Sequence, residues 1–293
     1  LKMISSDIPI GIKYISGVSA QLKSAVILAG LNSYGETEII EGAKSRDHTE
    51  KMLMGNHQII KIKEGRKKLI TVFGKRYLNP IKIAVPGDPS SSAFFTAVTL
   101  MNNDSTIKIK DVGLNPTRIG FYQLLKKQGA KIKFKNLKKK NFEIRGDIIV
   151  KSCKLKPFVA NEKYYTTATD EYPILFVMAA LTKGVSIFKG IKDLANKESN
   201  RISEMQKILK QVGIKSIFTK GKLKIYGKGK IDASNKKIVV PNLGDHRICM
   251  STFVLTVLTG AKTIIKNFET VNTSSPSFLK IMKNLGANFD IHK

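Results

Sequence analysis

The sequence has no tryptophan and only two cysteines in 293 residues. Cys153 and Cys249 lie far apart in apolar contexts, so we expect free thiols in a reducing, cytoplasmic compartment rather than a disulfide. No apolar run approaches the ~20 residues that a membrane span needs, and the first residues lack the apolar region of a signal peptide. These absences exclude a disulfide-stabilised scaffold and predict no membrane association.

Acidic residues are also scarce: 22 Asp and Glu stand against 51 Lys and Arg, which gives a formal net charge of +29. Such a charge raises nucleic acid as a partner. The lysines are spread along the chain, however, and aromatic residues that could stack on bases are not interleaved with them. The densest patch, 135–140, is predicted to be a solvated loop. The four histidines show no metal-ligand spacing, so no zinc site is expected.

Four segments about 70 to 80 residues apart follow one pattern. In each, a small or acidic residue caps an apolar helix, and a turn, a strand and an amphipathic second helix follow. The second helices stop near a glycine, before a further pair of strands. The segments begin at Ser19, Ser90, Asp170 and Asp245, with strands at 36–40, 106–110, 185–188 and 263–267, and second helices at 47–54, 117–128, 197–211 and 275–284.

This pattern predicts an α/β (α+β) fold of repeated βαβαββ units, with the apolar first helices buried and the sheets outside. If these helices run parallel, their N-termini gather on one face and form an anion site. Proline residues at 80, 86 and 89 mark a boundary between the first copy and the other three. One copy cannot bury both sides of its helices, so we expect the first copy to need partners upstream of Leu1.

Charged residues bracket the third copy. Asp170 is predicted at the start of its first helix, and Lys197, Glu198 and Arg201 at the start of its second. If the intervening strand returns beside the first helix, the four side chains converge and suit an anionic substrate and proton transfer. The alternative interpretation is a capped helix with surface ion pairs.

Seven short motifs occupy residues 19–25, 45–50, 87–91, 114–118, 170–173, 197–201 and 245–247. Taken together and in this order, they resemble the 5-enolpyruvylshikimate-3-phosphate synthases, also called 3-phosphoshikimate 1-carboxyvinyltransferases. The resemblance covers essentially the whole chain and is greatest to the glyphosate-tolerant branch of the family.

The resemblance implies two domains, each of three βαβαββ units, that form an inside-out α/β barrel-like fold. Residues 1–79 correspond to the last unit of the N-terminal domain, and residues 80–293 to a nearly complete second domain. The family's early Lys-Ser motif and its Gly-rich segment are absent. We therefore expect the chain to be a fragment that is inactive by itself.

The resemblance also implies transfer of the enolpyruvyl group of phosphoenolpyruvate to the 5-hydroxyl of shikimate 3-phosphate, in a monomer that uses no metal or organic cofactor and binds neither nucleic acid nor membrane. Asp170 and Glu198 match the catalytic acid–base residues, and Lys197 matches a residue that binds the shared hydroxyl region and relays protons. The matches to substrate-binding positions are Ser19, Ala20, Gln21, Ser45, Arg46, Asp170, Lys197, Arg201 and Arg247.

Two residues depart from the family pattern. Asn200 replaces an aspartate, which predicts the loss of a salt bridge with a neighbouring arginine, and Ser275 replaces a lysine that contacts phosphoenolpyruvate in many members. Two alternatives remain open: an enolpyruvyl transferase acting on UDP-N-acetylglucosamine, and a basic RNA-binding or RNA-end-modifying protein on a similar repeat.

Overall fold

The structure, a computed structural model, describes residues 6–292. Their contacts divide the chain into two compact units. Unit 1 contains the described residues up to Pro86 together with Gly113–Thr117 and Leu137–Arg145. Unit 2 contains Gly87–Val112, Arg118–Asn136 and the described residues from Gly146 onward.

Unit 1 is built around one four-stranded sheet and the helix that covers it. Its elements are β1 (Lys13–Ser16), α1 (Ala20–Asn32), β2 (Glu36–Glu41), α2 (His48–Leu53), β3 (Ile60–Lys63) and β4 (Lys68–Phe73). The strand order is β1-β2-β4-β3, with β1 and β2 parallel and the other pairs antiparallel. Ile27 of α1 packs with Ile39 and Ile70 of the sheet in a fully buried core.

The remaining elements lie mostly in unit 2. They are α3 (Pro89–Met101), β5 (Thr106–Gly113), α4 (Gly120–Lys127), β6 (Lys131–Lys140), β7 (Glu143–Lys151), β8 (Val159–Ala160), α5 (Tyr165–Ala168), α6 (Tyr172–Ala180), β9 (Gly184–Lys189), α7 (Arg201–Gln211), β10 (Lys215–Thr219), β11 (Lys222–Gly227), β12 (Lys237–Val240), α8 (His246–Thr259), β13 (Lys262–Ile265) and α9 (Phe278–Asn284). Short 3-10 helices cover Glu162–Tyr164, Thr169–Glu171, Lys192–Asn196 and Phe268–Thr273.

The sheet topology confirms the predicted repeat. The sheet β8-β9-β11-β10 has the strand order of unit 1, again with its first pair parallel and the others antiparallel. The sheet β5-β7-β6 follows the same order, and a parallel bridge from Gly87 to Val112 replaces its first strand. The fourth copy pairs β12 with β13 in parallel, but no strand pair follows α9 within residues 6–292.

The first helices of the second, third and fourth copies pack against one another inside unit 2. Every residue of α6 is buried, as expected for a helix that is apolar on all sides. At one end of this core, Phe278 of α9 makes ring contacts with Phe94, Phe95, Phe253 and Phe268. The helices are therefore inside and the strands outside, as the apolar sequences predict.

Three second helices begin three or four residues later than predicted; one of them is α9, which begins at Phe278 rather than 275. Helix α7 begins at Arg201 rather than Lys197, because the Asn200 side chain accepts a hydrogen bond from Ser203 N at 3.1 Å and caps the helix. Helix α4 begins at Gly120 rather than 117, because Asn115 Oδ1 accepts from Thr117 N at 2.9 Å and closes a turn there.

Two further predictions of local structure are wrong. Residues 135–140 belong to strand β6 rather than a loop, because Ile132 and Phe134 alternate with lysines and the strand pairs with β7. The lysines themselves are largely exposed. Asp170 lies in a 3-10 turn that joins α5 to α6, so the chain is already helical before it and Asp170 does not cap a free helix start.

Neither cysteine is in a disulfide; Cys249 is buried and Cys153 half-buried. Burial raises the pKa of the Cys249 thiol to about 12. Between residues 6 and 292, no helix has the length and apolar character to cross a membrane. In the same range, no group of three or more His, Cys, Asp or Glu side chains could hold a metal ion.

Candidate active site

The centre of the site in unit 2 is the guanidinium of Arg201, the first residue of α7. Its side chain is 1% exposed and contacts three carboxylates. Nη2 lies 2.5 Å from Glu198 Oε2, Nε lies 3.0 Å from Asp245 Oδ2, and Nη1 lies 3.7 Å from Asp170 Oδ1. The structure thus brings together the two predicted acid–base residues, Asp170 and Glu198, on one buried cation.

Asp245 is a site residue that the sequence reasoning left unassigned. Its carboxylate is fully buried, caps α8 by accepting from Arg247 N at 3.0 Å, and accepts from Ser199 Oγ at 2.9 Å. Burial alone would raise its pKa, but the Arg201 charge and these hydrogen bonds outweigh burial and lower the pKa below its ordinary value. One ionised carboxylate therefore fixes both the start of α8 and the orientation of Arg201.

The start of α3 adds a second polar network. Ser90 Oγ donates to the buried carboxylate of Glu171, while Arg118 Nη2 donates to Ser90 Oγ at 2.8 Å and to Asp88 Oδ1 at 2.7 Å. Burial and the neighbouring Asp170 charge raise the pKa of Glu171. Because Glu171 directly precedes α6, this network ties the N-terminus of α3 to that of α6.

Arg247, in the first turn of α8, is only 7% exposed. Within the described part of the chain, its Nε and Nη1 have no hydrogen-bond partner. Its charge helps to lower the pKa of Asp88, at the start of α3, after the larger effects of burial and Arg118. A buried guanidinium with unsatisfied donors is suited to an anion, which it can grip with two parallel hydrogen bonds.

The preceding residue, His246, is half-buried. Burial and then the Arg247 charge lower the pKa of its imidazole, which favours the neutral ring. A neutral ring beside Arg247 adds no positive charge for an anion, so the cationic character of this helix start comes from the arginine.

Lys197 lies in the bend between a 3-10 helix and α7, outside the Arg201 cluster. Its Nζ is 2.8 Å from Asp193 Oδ2, and the same oxygen accepts a hydrogen bond from the Tyr165 hydroxyl at 2.6 Å. The lysine charge and the phenol hydrogen bond lower the pKa of Asp193. Lys197 is therefore held by a carboxylate that the sequence reasoning did not identify.

The predicted phosphate-binding residues of unit 1 begin at the N-terminus of α1. Ser19 is the N-cap, and its hydroxyl accepts from Leu22 N at 3.3 Å. Ala20 is half-buried, and Gln21 is exposed. The cap leaves the other N–H groups of the first turn available for an anion.

Ser45 and Arg46 follow β2 in the same unit. Ser45 is buried, and its N and Oγ both donate to Glu41 Oε1, at 3.0 and 2.6 Å. That oxygen also accepts from Lys23 Nζ at 2.7 Å. Arg46 is half-buried and has an interaction partner of its own.

Lys23 is completely buried in α1 and lies between two acids. Besides Glu41, its Nζ lies 2.7 Å from Glu50 Oε1, in an ion pair whose angles fall outside hydrogen-bond geometry. Burial alone would raise the pKa of Glu41, but Lys23 and Ser45 outweigh it, and the pKa falls below its ordinary value. The sequence signal is that Lys23 lies four residues before Ile27, on the buried face of α1.

The two departures from the motif pattern have clear positions. Asn200 provides the cap of α7, and the carboxylates around Arg201 come from other residues. Ser275 is buried just after the 3-10 helix Phe268–Thr273, where its N donates to Val271 O at 2.8 Å. The structure therefore gives Asn200 a helix-capping role that needs no charge.

The chain matches known proteins over nearly all its length. Residues 10–282 match the family described as EPSP synthase (3-phosphoshikimate 1-carboxyvinyltransferase). A relative named 3-phosphoshikimate 1-carboxyvinyltransferase, from Paramagnetospirillum magneticum, is 37% identical over 92% of this chain and 60% of its own length. These matches favour the shikimate enzymes over both alternative interpretations of the sequence.

Solved structures agree. The EPSP synthase of Acinetobacter baumannii superposes with a TM-score of 0.85 at 35% identity, over 97% of this chain and 64% of that one. The enolpyruvyl transferase NikO of Streptomyces tendae, at 12% identity and a TM-score of 0.76 over 97% of this chain and 66% of its own, shows a likeness of fold alone. The chain thus spans somewhat under two thirds of the length of the curated relatives it matches.

Proposed function

Because the chain belongs to the EPSP synthase family, we propose that it is the larger part of an enzyme that transfers the enolpyruvyl group of phosphoenolpyruvate to the 5-hydroxyl of shikimate 3-phosphate. The observation that carries the proposal is the position of Asp170 and Glu198 on the buried Arg201 guanidinium. Two carboxylates held around one cation suit a reaction that moves protons on an anionic substrate.

The proposed reaction needs three proton transfers. Asp170 takes the proton of the 5-hydroxyl, whose oxygen then forms a bond to C2 of phosphoenolpyruvate. Glu198 gives a proton to the methylene carbon, and a tetrahedral adduct results. In the second step Glu198 takes a proton back from the methyl carbon, and the electron pair of that C–H bond forms the new C=C bond. The C–O bond to phosphate breaks, and inorganic phosphate leaves with the electron pair of that bond. Lys197 binds near the attacking hydroxyl.

The same geometry supports a proposal for how the anionic groups bind. Arg201 and Arg247 bind the carboxylate and phosphate of phosphoenolpyruvate, and the unsatisfied Nε and Nη1 of Arg247 support this assignment. For the phosphate of shikimate 3-phosphate, we assign the N-terminus of α1 and the loop after β2, that is, Ser19, Ala20, Gln21, Ser45 and Arg46. Hydroxyls, backbone N–H groups and one guanidinium are the donors that phosphate needs.

We propose that residues 1–79 are the remnant of an N-terminal domain and that residues 80–293 form a second domain of three repeats. The surface of unit 1 supports the first part. Ile15 of β1 is 74% exposed, and Leu22 and Leu28 of α1 are 60% and 49% exposed. Large apolar side chains of a sheet and its helix are normally covered by another layer of the same domain.

Small molecules, rather than nucleic acid, are the proposed partners, and the enzyme is proposed to act as a cytoplasmic monomer. The unbridged Cys153 and Cys249 support a reducing compartment. Filter binding of RNA over a salt titration tests the first point. Steeply salt-dependent RNA binding without binding of shikimate 3-phosphate would favour a nucleic-acid function instead.

The proposal is tested in the complete gene product that carries this sequence, by phosphate release from phosphoenolpyruvate and shikimate 3-phosphate. Asp170→Ala and Glu198→Gln are each expected to lower turnover by at least about a hundredfold, the range of one acid–base group. The matched control is Glu204→Gln, which removes an ion pair from the exposed side of α7. Unchanged phosphate release in either site variant, with the circular dichroism spectrum retained, would refute the assignment.

A further inference from the structure

Lys197 is part of a group of three interacting side chains, which is more than a lysine needs in order to bind substrate. One carboxylate oxygen, Oδ2 of Asp193, receives both the Lys197 ammonium, at 2.8 Å, and the Tyr165 hydroxyl, at 2.6 Å. The three residues come from three separate pieces of unit 2: α5, the 3-10 helix Lys192–Asn196 and the bend before α7. The contact between Asp193 and Lys197 is local, at i,i+4, but the hydrogen bond from Tyr165 joins residues 28 apart in the sequence.

We propose that Asp193 and Tyr165 form a positioning pair that holds the Lys197 ammonium in place for shikimate 3-phosphate. This inference rests on the proposed function. Asp193 is a positioning residue, since it acts through Lys197, and Tyr165 in turn fixes the carboxylate of Asp193.

The burial of the three side chains supports an arrangement in which Tyr165 fixes Asp193 and Asp193 in turn fixes Lys197. Tyr165 is only 8% exposed, and its ring contacts that of the fully buried Tyr172, with centroids 5.9 Å apart. The side chains of Lys197 and Asp193 are 30% and 49% exposed. Tyr165 is therefore held in place by packing, whereas the Lys197 ammonium is accessible to solvent and to a substrate.

The chemistry of the pair favours positioning over proton transfer by Asp193. Two donors on one oxygen stabilise the ionised carboxylate, and they lower the pKa of Asp193, Lys197 contributing most. Burial of the ring and then the ionised Asp193 raise the pKa of the Tyr165 phenol, so the hydroxyl keeps its proton and continues to donate. A lysine on a four-carbon stem has many rotamers, and a fixed counter-charge restricts them before the substrate arrives.

The test is steady-state kinetics of the complete gene product that carries this sequence. Asp193→Asn keeps the shape but removes the charge, and is expected to lower kcat/KM for shikimate 3-phosphate about tenfold, mainly through KM. Tyr165→Phe is expected to lower it about threefold. Both losses should disappear in a Lys197→Met background, because a residue that acts only through Lys197 has no effect once the ammonium is gone.

The controls separate this inference from the proposed function. Glu204→Gln, which breaks an exposed ion pair in α7, should leave all constants within twofold of the parent. Retention of the parental kcat/KM in Asp193→Asn, or an equal loss in the Lys197→Met background, would overturn the positioning role. If Asp170→Ala and Glu198→Gln were also without effect, the proposed function itself would fail.

Discussion

Replacing Lys23 by methionine tests the buried charge network of unit 1. The Lys23 side chain is completely buried, and its partners Glu41 and Glu50 are 2% and 1% exposed. Removing one partner of a buried ion pair costs about 3–5 kcal/mol, because the remaining charge stays buried without compensation. Lys23→Met leaves two such charges, although Lys68 stays 3.5 Å from Glu50 and Ser45 still donates to Glu41. We therefore expect a loss of about 3–5 kcal/mol at pH 7.

The loss in stability caused by Lys23→Met should depend on pH. In the parent chain the pKa of Glu41 lies below its ordinary value of 4.5, so this pair adds stability above pH 4.5 that is lost as the pH falls through the lowered pKa. In Lys23→Met the Glu41 carboxylate stays buried without its cation, so the effect of burial, which raises its pKa, is no longer offset by the lysine. The variant protonates Glu41 more readily as the pH falls, so the difference from the parent in free energy of unfolding should be largest near pH 7 and smaller at pH 4.5.

Urea unfolding, followed by far-UV circular dichroism at pH 7 and pH 4.5, measures the difference. Hydrogen exchange of peptides from α1 assigns it to unit 1. The matched control is Lys13→Met, whose partner Glu38 lies 3.7 Å away with the two side chains 68% and 40% exposed, and it should cost no more than about 1 kcal/mol. A loss below about 1 kcal/mol for Lys23→Met, or one of equal size at both pH values, would refute the reasoning.

Four further substitutions give definite expectations, each measurable by urea unfolding. Arg201→Met should lower the free energy of unfolding by about 3–5 kcal/mol, because it leaves Asp245 buried and unpaired. Arg247→Met should lower it by about 1 kcal/mol or less, because two nitrogens of Arg247 have no hydrogen-bond partner among residues 6–292. Equal losses for the two variants would contradict this. Phe278→Ala should cost about 3–5 kcal/mol through the lost aromatic packing, and a cost below about 1 kcal/mol would contradict the described core. Asp147→Asn should destabilise unit 2 at pH 5, because hydrogen bonds to Asp147 hold its pKa at about 2. The difference from the parent in free energy of unfolding should become smaller towards pH 3. A difference that became larger on acidification would contradict this.

The repeat was the most predictable part of the fold. Helix caps, apolar first helices and glycine stops are local signals, and they placed the first helices and strands of all four copies within a few residues of where the structure has them. The strand order that the copies share was not predicted and is known from the structure. The starts of α4 and α7 were missed because Asn115 and Asn200 close turns that residue-type patterns do not resolve.

The candidate site was less predictable where it depends on distant contacts. The approach of Asp170 and Glu198 to Arg201 required knowing how the third copy folds back. Asp245 meets Arg201 from the next copy, 44 residues along the chain, which no local spacing could reveal. Lys23 was missed for another reason: a lysine in a helix suggests solvent, and only its place on the apolar stripe indicates burial.

The catalytic and binding roles, the division of the chain at residue 79 and the resemblance to the glyphosate-tolerant branch stay predictions.

The contact between Glu198 and Arg201 has a consequence for the order of events in the proposed reaction. Nη2 of Arg201 is taken by Glu198 at 2.5 Å. An anionic substrate that binds to this nitrogen must displace the Glu198 carboxylate, and this displacement lowers the net affinity of the substrate. Glu198 therefore leaves Arg201 only when substrate binds, so substrate binding is coupled to the release of the proposed acid–base group.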